Sequence, residues 1–184
     1  MTLEVVRLHL AQIEGFNDMP VHGFVIKHPK AGAILVDSGV GWGDERLIRE
    51  WKVVNRHAAD ALAEHDLSPA DVKIVINSHL HFDHCGQNAV FKQAPFYIQR
   101  SELERARRVG ESIQWFDFAG ARFELVDGDA AYTADIYSEG AAADLTHWPG
   151  QHADRDSWTR SLDRLHAMHP HTVHFCHDTR VIHT

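Results

Sequence analysis

Within Asn77-Ser78-His79-Leu80-His81-Phe82-Asp83-His84-Cys85-Gly86, three imidazoles and a carboxylate occupy the six positions from His79 to His84, directly after an apolar run. The run, Val72 to Ile76, is rich in β-branched residues and reads as a buried strand. In extended backbone residues two apart point the same way, so His79 and His81 can converge on one ion. Asp83 and His84, beyond the strand end, can turn to a second. Neutral imidazole and carboxylate suit zinc, manganese or iron(II) far better than calcium. A lone histidine is ordinarily a surface or satisfied core residue. Three of them with an aspartate at the end of one buried strand point to a metal centre.

The H-x-H-x-D-H pattern resembles that of the metallo-β-lactamase superfamily. The longer run Ser78 to Asn88, S-H-L-H-F-D-H-C-G-Q-N, is similar to the lactonase branch, which includes the N-acyl homoserine lactone hydrolases. The resemblance implies an α/β fold of the αββα sandwich kind, with ligands on loops at one edge of the packed sheets. At 184 residues the chain is expected to form one domain over 1–184, long enough to bury a substantial core.

Charge narrows the substrate class. Lys and Arg number 18 against 26 Asp and Glu, and no basic run occurs, so a nucleic-acid partner is disfavoured. A small neutral or apolar molecule fits better. No stretch approaches the ~20 apolar residues of a membrane span, and the expectation is a cytoplasmic protein without a membrane partner. Cys85 and Cys176 are too few for a disulfide framework, and small packing residues are the simpler reading of both. With 16 histidines, most must face solvent, since two ions cannot use so many.

Along the chain, Glu4 to Ala11 and Val21 to His28 read as strands around an Asn17-Asp18-Met19-Pro20 turn. Pro29 to Gly32 connects tightly into Ala33-Ile34-Leu35-Val36. That strand ends in Asp37-Ser38-Gly39, similar to the superfamily's V-D-T-G segment. The resemblance makes Asp37 a residue that supports the metal centre from behind its ligands; from sequence alone an Asp before Ser-Gly is more often a turn residue. Leu47, Trp51, Val54, Ala58, Ala61 and Leu62 recur at three and four, which predicts one amphipathic helix between Trp42 and His65. A short helix is predicted over Gly86 to Phe91 and a strand over Pro95 to Ile98. Ser101 with Glu104 reads as a capping box opening a helix through Arg108.

After Phe123 the chain departs from the lactonase pattern. An acidic turn, Val126-Asp127-Gly128-Asp129, is fused to a D-A-x-Y motif, where the family has several tens of intervening residues carrying one more histidine ligand. The resemblance then makes Asp129 the bridging aspartate and Tyr132 the tyrosine near the substrate; a turn aspartate followed by a packing tyrosine is the alternative. Further on, a helix from Asp154 to Met168 leads to His171 through Asp178, similar to the family's last strand, which makes His177 a ligand of the second metal. His147 and His152 fall where the family has a loop near the pocket.

The resemblance thus implies metal ligands His79, His81, Asp83, His84, Asp129 and His177, with Asp83 and Tyr132 in catalytic roles. Two zinc sites are implied, the one of His79 and His81 weakened by the absent histidine. The implied reaction opens a lactone ring, foremost an N-acyl homoserine lactone, by a metal-bound hydroxide, since zinc lowers the pKa of its water from ~15.7 to about 7. A pyridoxolactonase, a glyoxalase II type thioester hydrolase and a non-catalytic metal-binding remnant are the alternatives. With part of the second sheet absent, an uncovered edge or apolar face would be hidden by association, so a homodimer or aggregation is expected.

Overall fold

The computed structural model describes residues 3–110, 112–126, 137–138, 155–170, 172–175 and 177–183. They fall into two compact units, Met1–Asp127 and Gly128–Thr184. The first is built on a seven-stranded sheet in the order β4-β1-β2-β3-β5-β6-β7. Strands β1 (Glu4–Ile13), β2 (Met19–His28) and β3 (Gly32–Val36) form an antiparallel meander. The turn between β1 and β2 takes left-handed backbone at Asn17 and Asp18, which short polar side chains tolerate. Strands β5 (Val72–Ile76), β6 (Phe96–Gln99) and β7 (Phe123–Val126) then run parallel to β3, each reached by a crossover.

β1 alternates poorly because of a β-bulge between His9 and Ala11, and consecutive Leu10 and Ala11 are both fully buried. Together with Leu8, Ile13, Val21, Val25, Leu35, Val75, Phe91 and Phe96 they form the core of one sheet face. Ala58, Ala61 and Leu62 of helix α2 (Ala58–Ala63) close over it.

The single helix expected between Trp42 and His65 is instead three elements: α1 (Glu45–Glu50), β4 (Val53–Asn55) and α2. Asp44 caps α1, its carboxylate accepting from the Leu47 N–H at 2.9 Å, and Lys52 at φ +49° ends that helical run. Val53 then pairs with Ile13 and is buried, whereas Val54 is 57% exposed. The apolar spacing was genuine, but β-branched Val53 and Val54 took a sheet edge in which burial alternates with period two.

Helix α3 (Phe82–Cys85) and a 3₁₀ turn (Asn88–Phe91) follow β5. Helix α4 (Arg100–Val109) starts earlier than the Ser101-Glu104 capping box predicted: its N-cap is Gln99, with no side-chain cap hydrogen bond, because the chain leaves β6 directly into the first turn. Glycine at φ +76° ends α4 at Gly110. Helix α5 (Ile113–Phe116) contributes Trp115 and Phe116 to a second core cluster with Leu80, Cys85, Ile98, Leu103 and Ala106.

In the second unit, α6 (Arg155–Ala167) precedes β8 (Thr172–His174), which pairs antiparallel with β9 (Val181–His183). Tyr137 and Phe175 are buried there, with Leu165, Val173 and Ile182 packed against them. The mixed α/β class expected from the sequence is therefore present, with one large sheet. Among the described residues the second sheet has two strands. No described helix is long and apolar enough to cross a membrane.

Candidate metal centre

The histidine loop leaves the sheet at the carboxyl end of β5. Asn77 continues the strand by donating its N–H to the Tyr97 carbonyl at 2.9 Å, and the chain then runs through Ser78, His79, Leu80 and His81 into α3, whose N-cap is His81 at ψ 158°. Leu80 is 1% exposed and packs in the cluster lined by α4 and α5. Its burial sends the flanking His79 and His81 to the opposite side, as period-two geometry requires. The ring centroids of those two residues are 4.5 Å apart, and His84 lies 3.9 Å from His79. The three imidazoles form one cluster. Asp83 and His84 on α3 are buried, with 3.4 Å between the Asp83 Oδ2 and His84 Nε2 atoms.

Asp37 braces the loop. It is 1% exposed and sits at φ +59°, a backbone conformation that costs energy for a residue with a Cβ and recurs at functional sites. Its N–H donates to the Ile76 carbonyl at 2.9 Å, placing it beside the end of β5. Its Oδ1 accepts from the Ser78 N–H at 2.8 Å, and its Oδ2 accepts from the Ser78 hydroxyl at 2.7 Å and lies 2.8 Å from His84 Nδ1. A carboxylate cannot donate, so His84 presents Nδ1–H to Asp37. In the neutral ring that leaves the Nε2 lone pair on the side of Asp83.

Behind this pair a polar lattice holds α3 in place. The Ser38 N–H donates to the His84 carbonyl at 2.7 Å, the Gly86 N–H to the Gly39 carbonyl at 2.9 Å, and Asn88 Nδ2 to Asn77 Oδ1 at 2.8 Å. Gln87 ties in the segment before α2, donating to the Arg56 carbonyl at 2.8 Å and accepting from the Ala58 N–H at 2.9 Å. Gly86 is required by close approach: a Cβ there would collide with the backbone of Gly41, Phe82 and Val40.

Electrostatics favour a cation at this spot. Burial by itself would push the His84 imidazolium pKa down, but the charges of Asp83 and then Asp37, with hydrogen bonds to both, outweigh it and hold the pKa well above the usual histidine range. Burial pushes the Cys85 thiol up, so it packs as a small neutral residue with its sulfur 3.2 Å from the His81 carbonyl. The donor set fits a divalent metal of the zinc class: clustered imidazoles, a buried carboxylate, and a histidine with one ring nitrogen bound by a carboxylate and the other left to face a cation.

The structure places His79, His81, Asp83 and His84 together. His177 belongs to the second unit, where it follows β8 and is buried. Asp129 and Tyr132 lie outside the described residues, as do His147, His152 and Cys176. Two contributors carried no distinctive sequence signal: Ser78, whose hydroxyl also lies 3.1 Å from His79 Nδ1, and Glu102, which accepts from the Leu80 N–H at 3.0 Å.

The chain belongs to the metallo-β-lactamase superfamily: the description "Metallo-beta-lactamase superfamily" matches residues 17–125. Curated relatives narrow the comparison. The N-acyl homoserine lactonase AttM of Agrobacterium fabrum is 30% identical over 154 residues, covering 72% of this chain and 58% of that protein. An N-acyl homoserine lactonase of a Bacillus species is 27% identical over 150 residues, covering 72% and 55%. The chain thus spans little more than half the length of these relatives, which is consistent with an internal deletion. Among solved structures, a quorum-quenching N-acyl homoserine lactone lactonase has a TM-score of 0.57 at 23% identity, covering 71% of this chain and 60% of its own. An N-acyl homoserine lactone hydrolase with its product bound at the catalytic metal centre has a TM-score of 0.55 at 20% identity, covering 72% and 62%. At these identities the structures speak to the fold.

Proposed function

We propose that this chain is a zinc-dependent hydrolase that opens a lactone ring, with N-acyl homoserine lactones as the preferred substrates. The observation that carries the reading is the imidazole cluster of His79, His81 and His84, with Asp37 fixing the His84 tautomer. His79, His81, Asp83 and His84 would hold the metal, and the family pattern adds Asp129 and His177 as donors. Bound zinc would supply Lewis acidity toward the lactone carbonyl and a water acidic enough to ionise near neutral pH. The protein's own part is to aim the ligand nitrogens, through Asp37 and Ser78. Tyr132, carried over from the family pattern, would donate a hydrogen bond to the carbonyl oxygen.

Zinc-loaded protein should therefore hydrolyse homoserine lactones, and His81→Ala should lose both that turnover and zinc retention. The panel should include pyridoxolactone and a glutathione thioester. Turnover of the thioester but not the lactones would reassign the substrate class. The short span relative to the lactonases favours one second reading, a metal-binding domain without turnover. Stoichiometric zinc with no hydrolysis across the panel would establish it.

A further inference from the structure

The segment between His79 and His81 has no strand partner for its backbone, yet Leu80 is buried, so its N–H needs an acceptor. The acceptor is the Glu102 carboxylate, 22 residues away in the first turn of α4, with 3.0 Å between Leu80 N and Oε1. The Glu102 side chain is only 12% exposed, a poor environment for a carboxylate unless it is paired. Arg105, one turn further along α4, supplies the pairing in a two-pronged arrangement: Nε to Oε2 at 3.0 Å and Nη2 to Oε1 at 3.2 Å. Leu103, the residue after Glu102, shares a core cluster with the Leu80 side chain. Helix α4 therefore grips Leu80 twice, by its side chain and by its N–H.

That N–H belongs to the peptide plane joining His79 to Leu80. Fixing the plane fixes ψ of His79, while burial of the Leu80 side chain fixes the direction from which His81 departs. We propose that Glu102, held by Arg105, is the positioning residue that sets the His79–His81 pair at its spacing for a metal ion. The inference rests on the metal-binding reading of the loop. Loss of the acceptor would let the peptide plane rotate and the two imidazoles separate, while the fold, anchored by the two core clusters, persists.

Cobalt(II) reports on this directly, because its visible absorption depends on ligand geometry and needs no turnover. Metal-free wild type, Glu102→Ala, Glu102→Gln and Arg105→Gln would be titrated with cobalt, with urea unfolding of each metal-free protein run in parallel. Glu102→Ala should weaken cobalt binding by ~10- to 100-fold, the range seen when groups orienting metal ligands are removed, and should alter the spectrum. Glu102→Gln keeps an oxygen acceptor for the Leu80 N–H and should restore affinity to within about threefold of wild type. Arg105→Gln should fall between them. Wild-type affinity and spectrum in Glu102→Ala would overturn the proposal, as would an equal loss in Ala and Gln variants. A lower unfolding midpoint with unchanged cobalt binding would reduce Glu102 to a structural residue and overturn it too. Failure of the wild type to take up cobalt would overturn the metal reading itself.

Discussion

Replacing Asp37 separates the roles of charge and shape behind the histidine loop. Asparagine tolerates the left-handed backbone that position 37 adopts at φ +59°, so Asp37→Asn should leave the local chain path intact. Its amide oxygen can still accept from the Ser78 N–H. Its NH₂ then faces Ser78 Oγ and His84 Nδ1, where Oδ2 stood at 2.7 and 2.8 Å. The serine hydroxyl can rotate to accept. The His84 ring can accept only by moving its proton to Nε2, which removes the lone pair from the nitrogen that faces Asp83. Zinc affinity should therefore fall by ~10- to 100-fold, which is about 1.4 to 2.7 kcal/mol. Asp37→Ala is harsher. The Ser78 N–H and His84 Nδ1–H both lose a buried acceptor at ~1 to 3 kcal/mol each, and alanine in left-handed backbone adds ~1 to 2 kcal/mol. A total of roughly 3 to 8 kcal/mol approaches the whole stability of an ordinary domain, so this variant should be largely unfolded at modest urea. Competition titration with a zinc chelator, alongside urea unfolding of the metal-free proteins, reads both quantities. Asp37→Asn that holds zinc as tightly as wild type would refute the tautomer argument.

Gly86→Ala should destabilise by at least about 3 kcal/mol, because its Cβ meets only backbone; Gly43→Ala, at φ +95° but in open space, should cost only the ~1 to 2 kcal/mol of left-handed backbone by the same urea assay. His9 supplies a pH dependence. Its pKa is lowered first by burial and then by Arg56 and Arg7, so the unfolded chain binds the proton more readily than the folded one. Its contribution to stability is thus intact above the ordinary histidine pKa and is lost as pH falls through the depressed folded value. His9→Gln should flatten that part of the stability profile, and an unchanged slope would count against it. Counting donors in the family arrangement leaves the site of His79 and His81 one imidazole short, so calorimetric titration with zinc should find one tight site and one that dialysis empties. Two equally tight sites would mean that another residue supplies the missing donor.

The β1–β3 meander and the histidine loop were legible in the sequence because both depend on short-range patterns. Val72 to Ile76 followed at once by H-x-H-x-D-H sets a strand ahead of clustered imidazoles, and the turn chemistry of Asn17-Asp18 and of the Gly32 hairpin marks the meander. The segment from Trp42 to His65 was misread because apolar residues at three and four satisfied a helix, while the deciding interaction, pairing of Val53 with Ile13, lies forty residues away. The capping signal at Ser101 lost for a related reason: strand β6 sets where α4 can begin.

The sequence by itself determined the family and the make-up of the histidine loop, since chemistry and spacing within six residues define them. Only the tertiary structure decided what orients them. Asp37 reaches Ser78 and His84 across more than forty residues, and Glu102 reaches Leu80 across 22. Those contacts come from parallel pairing of β3, β5 and β6, which brings three strand ends to one edge of the sheet. Local propensity carries no record of that pairing, because its energy comes from burial and hydrogen bonds between segments that meet only when the chain is folded.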